Sequence, residues 1–163
     1  MSKIKFVIVL VVTFVIAQYL KDTAHSISLY ALVTLPGTFL HELMHYTMAG
    51  LLGGHPGNFS LIPSGNTLGS VTFVPNWYNA ASVGLAPLLL APLTVFFAAL
   101  SSRSNNPLKM VGGGYLAACS WVACTPSSQD FSVALVPTSW PLALSILWFT
   151  TWVIYRVVRV AIR

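Results

Sequence analysis

Long apolar runs dominate the chain, and polar residues interrupt them at intervals that mark turns and helix ends. A helix needs about 20 apolar residues to cross the hydrocarbon of a bilayer. Five stretches approach that length: residues 4–20, 27–52, 82–100, 109–124 and 140–160. Lys3 and Lys5 flank the start of the first, and Lys21-Asp22 follow it. A signal peptide is the rival reading there. The stretch lacks a clear small-x-small cleavage site and is long for such a segment, so it is read as an uncleaved span. The second stretch contains Pro36-Gly37, the third Pro87 and Pro92, and the fourth Gly112-Gly113-Gly114. Membrane helices tolerate such residues where neighbours cover the exposed backbone, and kinks or close packing are expected at them.

Between the second and third stretches the texture changes. Gly53-Gly54-His55-Pro56-Gly57 breaks the helix. Phe59 to Ile62 and Leu68 to Val74 then flank a turn at Pro63-Ser64-Gly65-Asn66, and Val71 and Phe73 alternate with Ser70 and Thr72. This predicts a β-hairpin over about 58–75. Non-helical backbone must be covered by protein or reach water. The hairpin therefore belongs at the membrane rim, leaning into the helices. The expected fold is a single all-α integral-membrane domain: a bundle of about five transmembrane helices with a membrane-associated β-hairpin between the second and third.

Composition strengthens this picture. Of 163 residues, 56% are hydrophobic and 7% charged, against roughly 25% charged in a soluble domain. The surface is therefore expected to face a lipid bilayer. The net charge of +5 could suggest nucleic acid. Its carriers, Lys3, Lys5, Lys21, Arg103, Lys109, Arg156, Arg159 and Arg163, sit instead at the ends of apolar runs. That suits interfacial anchors. No basic stripe is interleaved with exposed aromatics, so no nucleic-acid partner is expected. Cys119 and Cys124 lie five apart, on different faces of a helix, and read as packing residues rather than a disulfide or a metal pair. Nothing in the pattern speaks to oligomeric state.

The candidate chemistry lies in His41-Glu42-Leu43-Met44-His45. Residues four apart share a helix face, so the two imidazoles can bind one zinc ion. Glu42 beside them can act as general base towards water. Zinc brings the pKa of bound water to about 7 and so makes hydroxide available at neutral pH. Glu42 is the only glutamate in the chain, and an ionisable residue in an apolar span marks function by default. The bland alternative is a buried His/Glu hydrogen-bonding cluster that holds helices together. Catalytic zinc usually takes three protein ligands. Asp22 and His25 lie at the opposite end of the second span, roughly 20 Å away at 1.5 Å per residue. Asp130 follows the fourth span and can return to the depth of the histidines. His55 is the other candidate, and a helix N-cap is the ordinary role for Asp130.

These features resemble the site-2 protease family of intramembrane zinc metalloproteases, in its small bacterial form. The resemblance runs from about Leu35 to Phe131: the HELMH helix, the glycine-rich break, the hairpin, Gly84-Leu85-Ala86-Pro87, and Pro126-Ser127-Ser128-Gln129-Asp130. It implies that His41, His45 and Asp130 bind one zinc ion and that Glu42 activates water. The implied activity is hydrolysis of peptide bonds in transmembrane protein substrates, and the implied setting is the multi-pass proteins of the bacterial inner (plasma) membrane. A helical substrate must be unwound to be cut, and an extended segment pairing with the hairpin edge would hold it. Ser70, Val71, Thr72 and Phe73 are the expected substrate-binding residues, the rival being a hairpin that only plugs the bundle. Two other functions fit the composition: a non-proteolytic zinc-binding scaffold or sensor, and a small ion or proton transporter component.

Overall fold

Proline and glycine decide where the apolar runs divide. The protein is described from a computed structural model covering residues 3–22, 27–64 and 67–162. Helix α1 spans Lys3–Asp22, and the second run gives two helices, α2 (Ile27–Val33) and α3 (Leu35–Leu51). They meet at Thr34, with φ −95° and ψ 5°. Pro36 has no N–H to offer the preceding turn. Main-chain bonds continue on either side: Thr34 N–H donates to Tyr30 O at 2.8 Å and Thr38 N–H to Thr34 O at 3.0 Å. The Tyr115 hydroxyl donates to Val33 O at the junction. The expected single span over 27–52 is therefore a jogged pair.

Helix α3 ends in a left-handed cap. Gly53 has φ +66°, a conformation that suits glycine. Gly54 N–H bonds Ala49 O at 2.7 Å and Gly53 N–H bonds Gly50 O at 3.4 Å, which satisfies two carbonyls of the last turn. Strands β1 (Gly57–Ser60) and β2 (Ser70–Thr72) follow as an antiparallel pair. Gly57 faces Thr72 and Ser60 faces Ser70, so β1 carries one extra residue, a bulge. Ser64 and Thr67 exchange main-chain hydrogen bonds at 3.0 and 3.1 Å near the tip. The expected turn residues Gly65 and Asn66 lie outside the described residues, as does His25. Both roots of the hairpin are tied to the end of α3. Val74 N–H donates to Gly54 O at 2.8 Å. The buried Asn79 amide donates to Val74 O at 3.3 Å and Leu52 O at 3.5 Å.

The third run also divides, into a short helix α4 (Ala80–Gly84), a 3₁₀ turn at Ala86–Leu89 and helix α5 (Leu90–Arg103). Pro87 sits in the first turn after the break, where a missing N–H costs nothing. Helix α6 (Pro107–Ala123) begins at an Asn106 cap whose side chain accepts from Leu108 N–H at 2.9 Å. Then come α7 (Ser128–Ala134), a 3₁₀ turn at Pro137–Ser139, and α8 (Trp140–Ile162). The fold is thus mostly helical with one small two-stranded sheet. Among the described residues, Ala86–Arg103 is long and apolar enough to cross a membrane. Ser128–Ala134 with Pro137–Arg156, bent by 85°, gives a second if taken as one span.

Helices α5 and α6 pack as a hairpin, with α1 laid on both, α3 against α6, α8 against α5, and α4 against α7. Small side chains hold the contacts: Ala80, Ala81, Ala98, Ala117 and Ala118 are fully buried. Many large apolar residues face outward, among them Val11 and Val15 on α1, Val111 on α6, and Leu144, Trp148 and Trp152 on α8, while Val83 and Leu90 are fully buried. Cys119 and Cys124 are buried, as packing residues should be. Among the glycines of the described residues, the tightest is Gly37 of α3, where a Cβ would stand 2.4 Å from Cys119 O of α6. Gly37→Ala should therefore lower stability by about 1–3 kcal/mol. Gly112→Ala, with nothing within 4 Å, should leave it unchanged or raise it slightly. Thermal unfolding of both variants in detergent checks this, and equal midpoints would contradict the packing.

Candidate metal centre

Three elements converge on the HELMH turn of α3. His41 and His45 lie one helical turn apart, with ring centroids 4.8 Å apart and Nε2 atoms 3.1 Å apart. From α7, Asp130 brings Oδ1 to 3.1 Å from His45 Nε2 and Oδ2 to 3.5 Å from His41 Nε2. The three ligand atoms all lie within 4.8 Å of one another, and this group can hold a metal ion. Asp22, by contrast, is exposed and accepts from Gln18 at 3.1 Å. His55 is exposed at φ 46° beyond the α3 cap and is no part of the group. The sequence alternative of His55 as third ligand therefore falls to Asp130.

The protonation of the rings follows from their outer contacts. His41 Nδ1 lies 2.8 Å from Ala123 O, and His45 Nδ1 lies 2.8 Å from Val83 O. A carbonyl only accepts, so each Nδ1 donates and each neutral ring has its lone pair on Nε2. Two nitrogen lone pairs and a carboxylate then face one another, an arrangement that a cation between them would satisfy. Donor atoms of a tetrahedral site with bonds of about 2.0–2.1 Å stand about 3.3 Å apart. The two Nε2 atoms stand 3.1 Å apart, and one Asp130 oxygen lies near each of them, at 3.5 and 3.1 Å, so the three groups are spaced on that scale. The donor set, two imidazoles and a carboxylate, fits a borderline ion such as zinc.

The carbonyls that aim the rings come from helix ends. Ala123 is the last residue of α6 and Val83 the last but one of α4, where acceptor capacity is left over from the helical ladder. Glycine brings each within reach. Gly37 lets α6 lie against α3 one turn before His41. At Gly84 a Cβ would stand 2.5 Å from Asp130 O and 3.2 Å from the Ala134 Cβ, so only glycine allows α4 to touch α7 there. Asp130 fills two roles at once. It occupies the third position of α7 in a capping box: its N–H donates to Ser127 Oγ at 3.2 Å, and its Oδ2 accepts from Ser127 N–H at 2.6 Å. Asp130 is not itself the N-cap: Ser127 holds that place, and the reciprocal bond from the third position fixes the carboxylate that faces the histidines.

Glu42 is 6% exposed and makes no hydrogen bond to any described residue. It lines a cavity of roughly 270 Å³ together with the triad and the second half of the hairpin. Gly69 lies directly on it: a Cβ there would stand 2.8 Å from Glu42 Cγ and 3.0 Å from Oε1. Of the four expected substrate contacts, Ser70, Val71 and Phe73 line this cavity. Phe73 also packs on the core around Met48 and Val83. Thr72 is exposed, lies opposite Gly57 in the strand pair and is not part of the cavity lining. The carbonyls of Ala123 and Val83 are backbone groups, so no residue type announces them. The one visible signal was glycine at 37, 69 and 84 near a candidate ligand or base.

Removing a ligand and disturbing its support should differ in degree. His45→Ala should abolish stoichiometric metal in the purified protein, and His55→Ala should retain it. Gly84→Ala should weaken metal affinity about 10–100-fold by shifting Asp130. Elemental analysis with a competing chelator measures all three, and wild-type affinity in Gly84→Ala would contradict the positioning role. A scan against family models and searches of curated proteins and of solved structures return no match to this chain.

Proposed function

We propose that this chain is an intramembrane zinc metalloprotease of the site-2 protease kind, cleaving transmembrane protein substrates. One observation carries the reading: an uncommitted, buried Glu42 stands beside a His41–His45–Asp130 triad in a cavity walled by a β-strand. A scaffold or sensor needs the three ligands but has no use for an unpaired carboxylate next to an open cavity. The outward-facing Val11, Val15, Trp148 and Trp152 support lipid surroundings for the helices. About five spans remain the proposal for the whole bundle, the inner membrane of a bacterium its setting.

In this reading zinc, when bound, supplies Lewis-acid activation of water and of the scissile carbonyl. The chain's own residues do the rest. Glu42 accepts a proton from water as the water oxygen bonds to the carbonyl carbon. It returns that proton to the amine nitrogen as the C–N bond breaks, giving a carboxyl and an amino end. The imidazole and carboxylate ligands keep their orientation because each is fixed by a carbonyl or an N–H behind it. The two-stranded sheet leaves β2 one unpaired edge. An unwound substrate segment can add there as a third strand, its backbone hydrogen-bonded and its side chains set against Val71 and Phe73.

Co-expression with candidate single-span proteins tests the proposal. Glu42→Gln should retain zinc and lower cleavage about 10²–10⁴-fold. Equal products from wild type and Glu42→Gln would remove the protease function and leave a metal-binding membrane protein.

A further inference from the structure

The cleavage just described requires a partner for the substrate oxygen. As water adds, the carbonyl π pair moves onto that oxygen, and an N–H aimed at it stabilises the growing charge. No lysine or arginine lines the cavity. Most of its polar side chains are already committed. The Thr34 hydroxyl donates to Tyr30 O at 2.7 Å, and the Thr67 hydroxyl to Ser64 O at 2.8 Å. Both Nδ1 atoms of the histidines are spent on carbonyls. Ser127 Oγ is the helix cap.

Few uncommitted donors remain. Tyr30 belongs to α2, beyond the Thr34 junction and about three helical turns before His41, at the other end of the cavity wall from the elements that bring the ligands. Ser70 follows Gly69, which rests on Glu42, so it stands on the same wall as the base. Thr125 has a short hydroxyl stem and precedes the helix that carries the ligand. Gln129 is different. It is the neighbour of Asp130 on α7 and lines the cavity with Val133 one turn on; its main-chain carbonyl accepts from Ser132 Oγ at 2.6 Å, but its side-chain amide has no hydrogen bond to any described residue. Its long stem ends in an amide N–H₂, on the wall that brings the carboxylate ligand and across the triad from the helix of Glu42.

We infer that Gln129 is a catalytic residue, the donor that stabilises the oxyanion of the substrate during hydrolysis. The inference rests on the protease reading. Charge builds on the oxygen as the water O–C bond forms; the Gln129 N–H holds it until the pair returns and expels the amine. The amide neither gains nor loses a proton, so the balance of the reaction is unchanged.

The test uses the full chain purified with zinc and one single-span substrate, comparing wild type with Glu42→Gln, Gln129→Leu and Gln129→Glu. Gln129→Leu should lower kcat about 10²–10³-fold, with KM within about threefold and zinc content unchanged. Gln129→Glu, similar in size but without the donor, should be at least as slow. A kcat within about threefold of wild type in either variant overturns the assignment, as does a loss confined to KM or a parallel loss of zinc. Those results leave the protease function standing if Glu42→Gln is inactive. Full activity of Glu42→Gln would remove that function and this inference with it.

Discussion

Two carbonyl oxygens, Ala123 O and Val83 O, hold the imidazoles of His41 and His45 by their Nδ1 protons, each at 2.8 Å. That pair of bonds turns both Nε2 lone pairs inward, towards each other and towards Asp130. Without a cation the inward arrangement is electrostatically costly in an apolar bundle, where ionisable groups are expensive to begin with. Both carbonyls belong to helix ends, where acceptor capacity is left over from the helical ladder. That spare capacity becomes the outer support of a ligand.

Glycine makes this geometry reachable. Gly37 brings α6 close enough for Ala123 O to meet His41, and Gly84 lets α4 touch α7 at Asp130. Gly69 lets the hairpin backbone lie on Glu42. In each case the space a methyl group would fill is occupied by a neighbouring chain. The capping box of α7 adds the last constraint, since the same Asp130 oxygen that accepts from Ser127 N–H faces His41 at 3.5 Å. Backbone contacts, rather than a second layer of polar side chains, orient the site. That economy suits a chain with only three acidic residues.

The spacing of His41 and His45 was legible because helix periodicity puts residues four apart on one face. Asp130 was legible by depth along the spans and by the resemblance. The hairpin was legible from the alternation around Ser70 to Phe73. The breaks were harder. Hydropathy over 82–100 is continuous, yet the chain turns at Leu85 because Gly84 must meet Asp130 and Pro87 suits only the start of a new turn. Pro36 announced a kink, but Thr34 as its pivot depends on Tyr115, more than eighty residues away in sequence. Thr72 stays outside the cavity lining while Ser70, two residues away on the same strand face, is part of it, a difference that alternation alone does not announce. The acceptors for the histidine rings were invisible, being main-chain atoms of alanine and valine.

Glu42 has no hydrogen bond to any described residue and lines the cavity beside the hairpin. In the proposed function it would meet an extended peptide and a water molecule there. All of this depends on a single ion held by two imidazoles and one carboxylate. X-ray absorption at the zinc edge of the purified protein measures that directly. Four light donors at about 2.0–2.1 Å, with the outer-ring scattering of two imidazoles, are expected. Sulfur at about 2.3 Å, or an ion with no imidazole scattering, would place the metal elsewhere and contradict the arrangement of His41, His45 and Asp130.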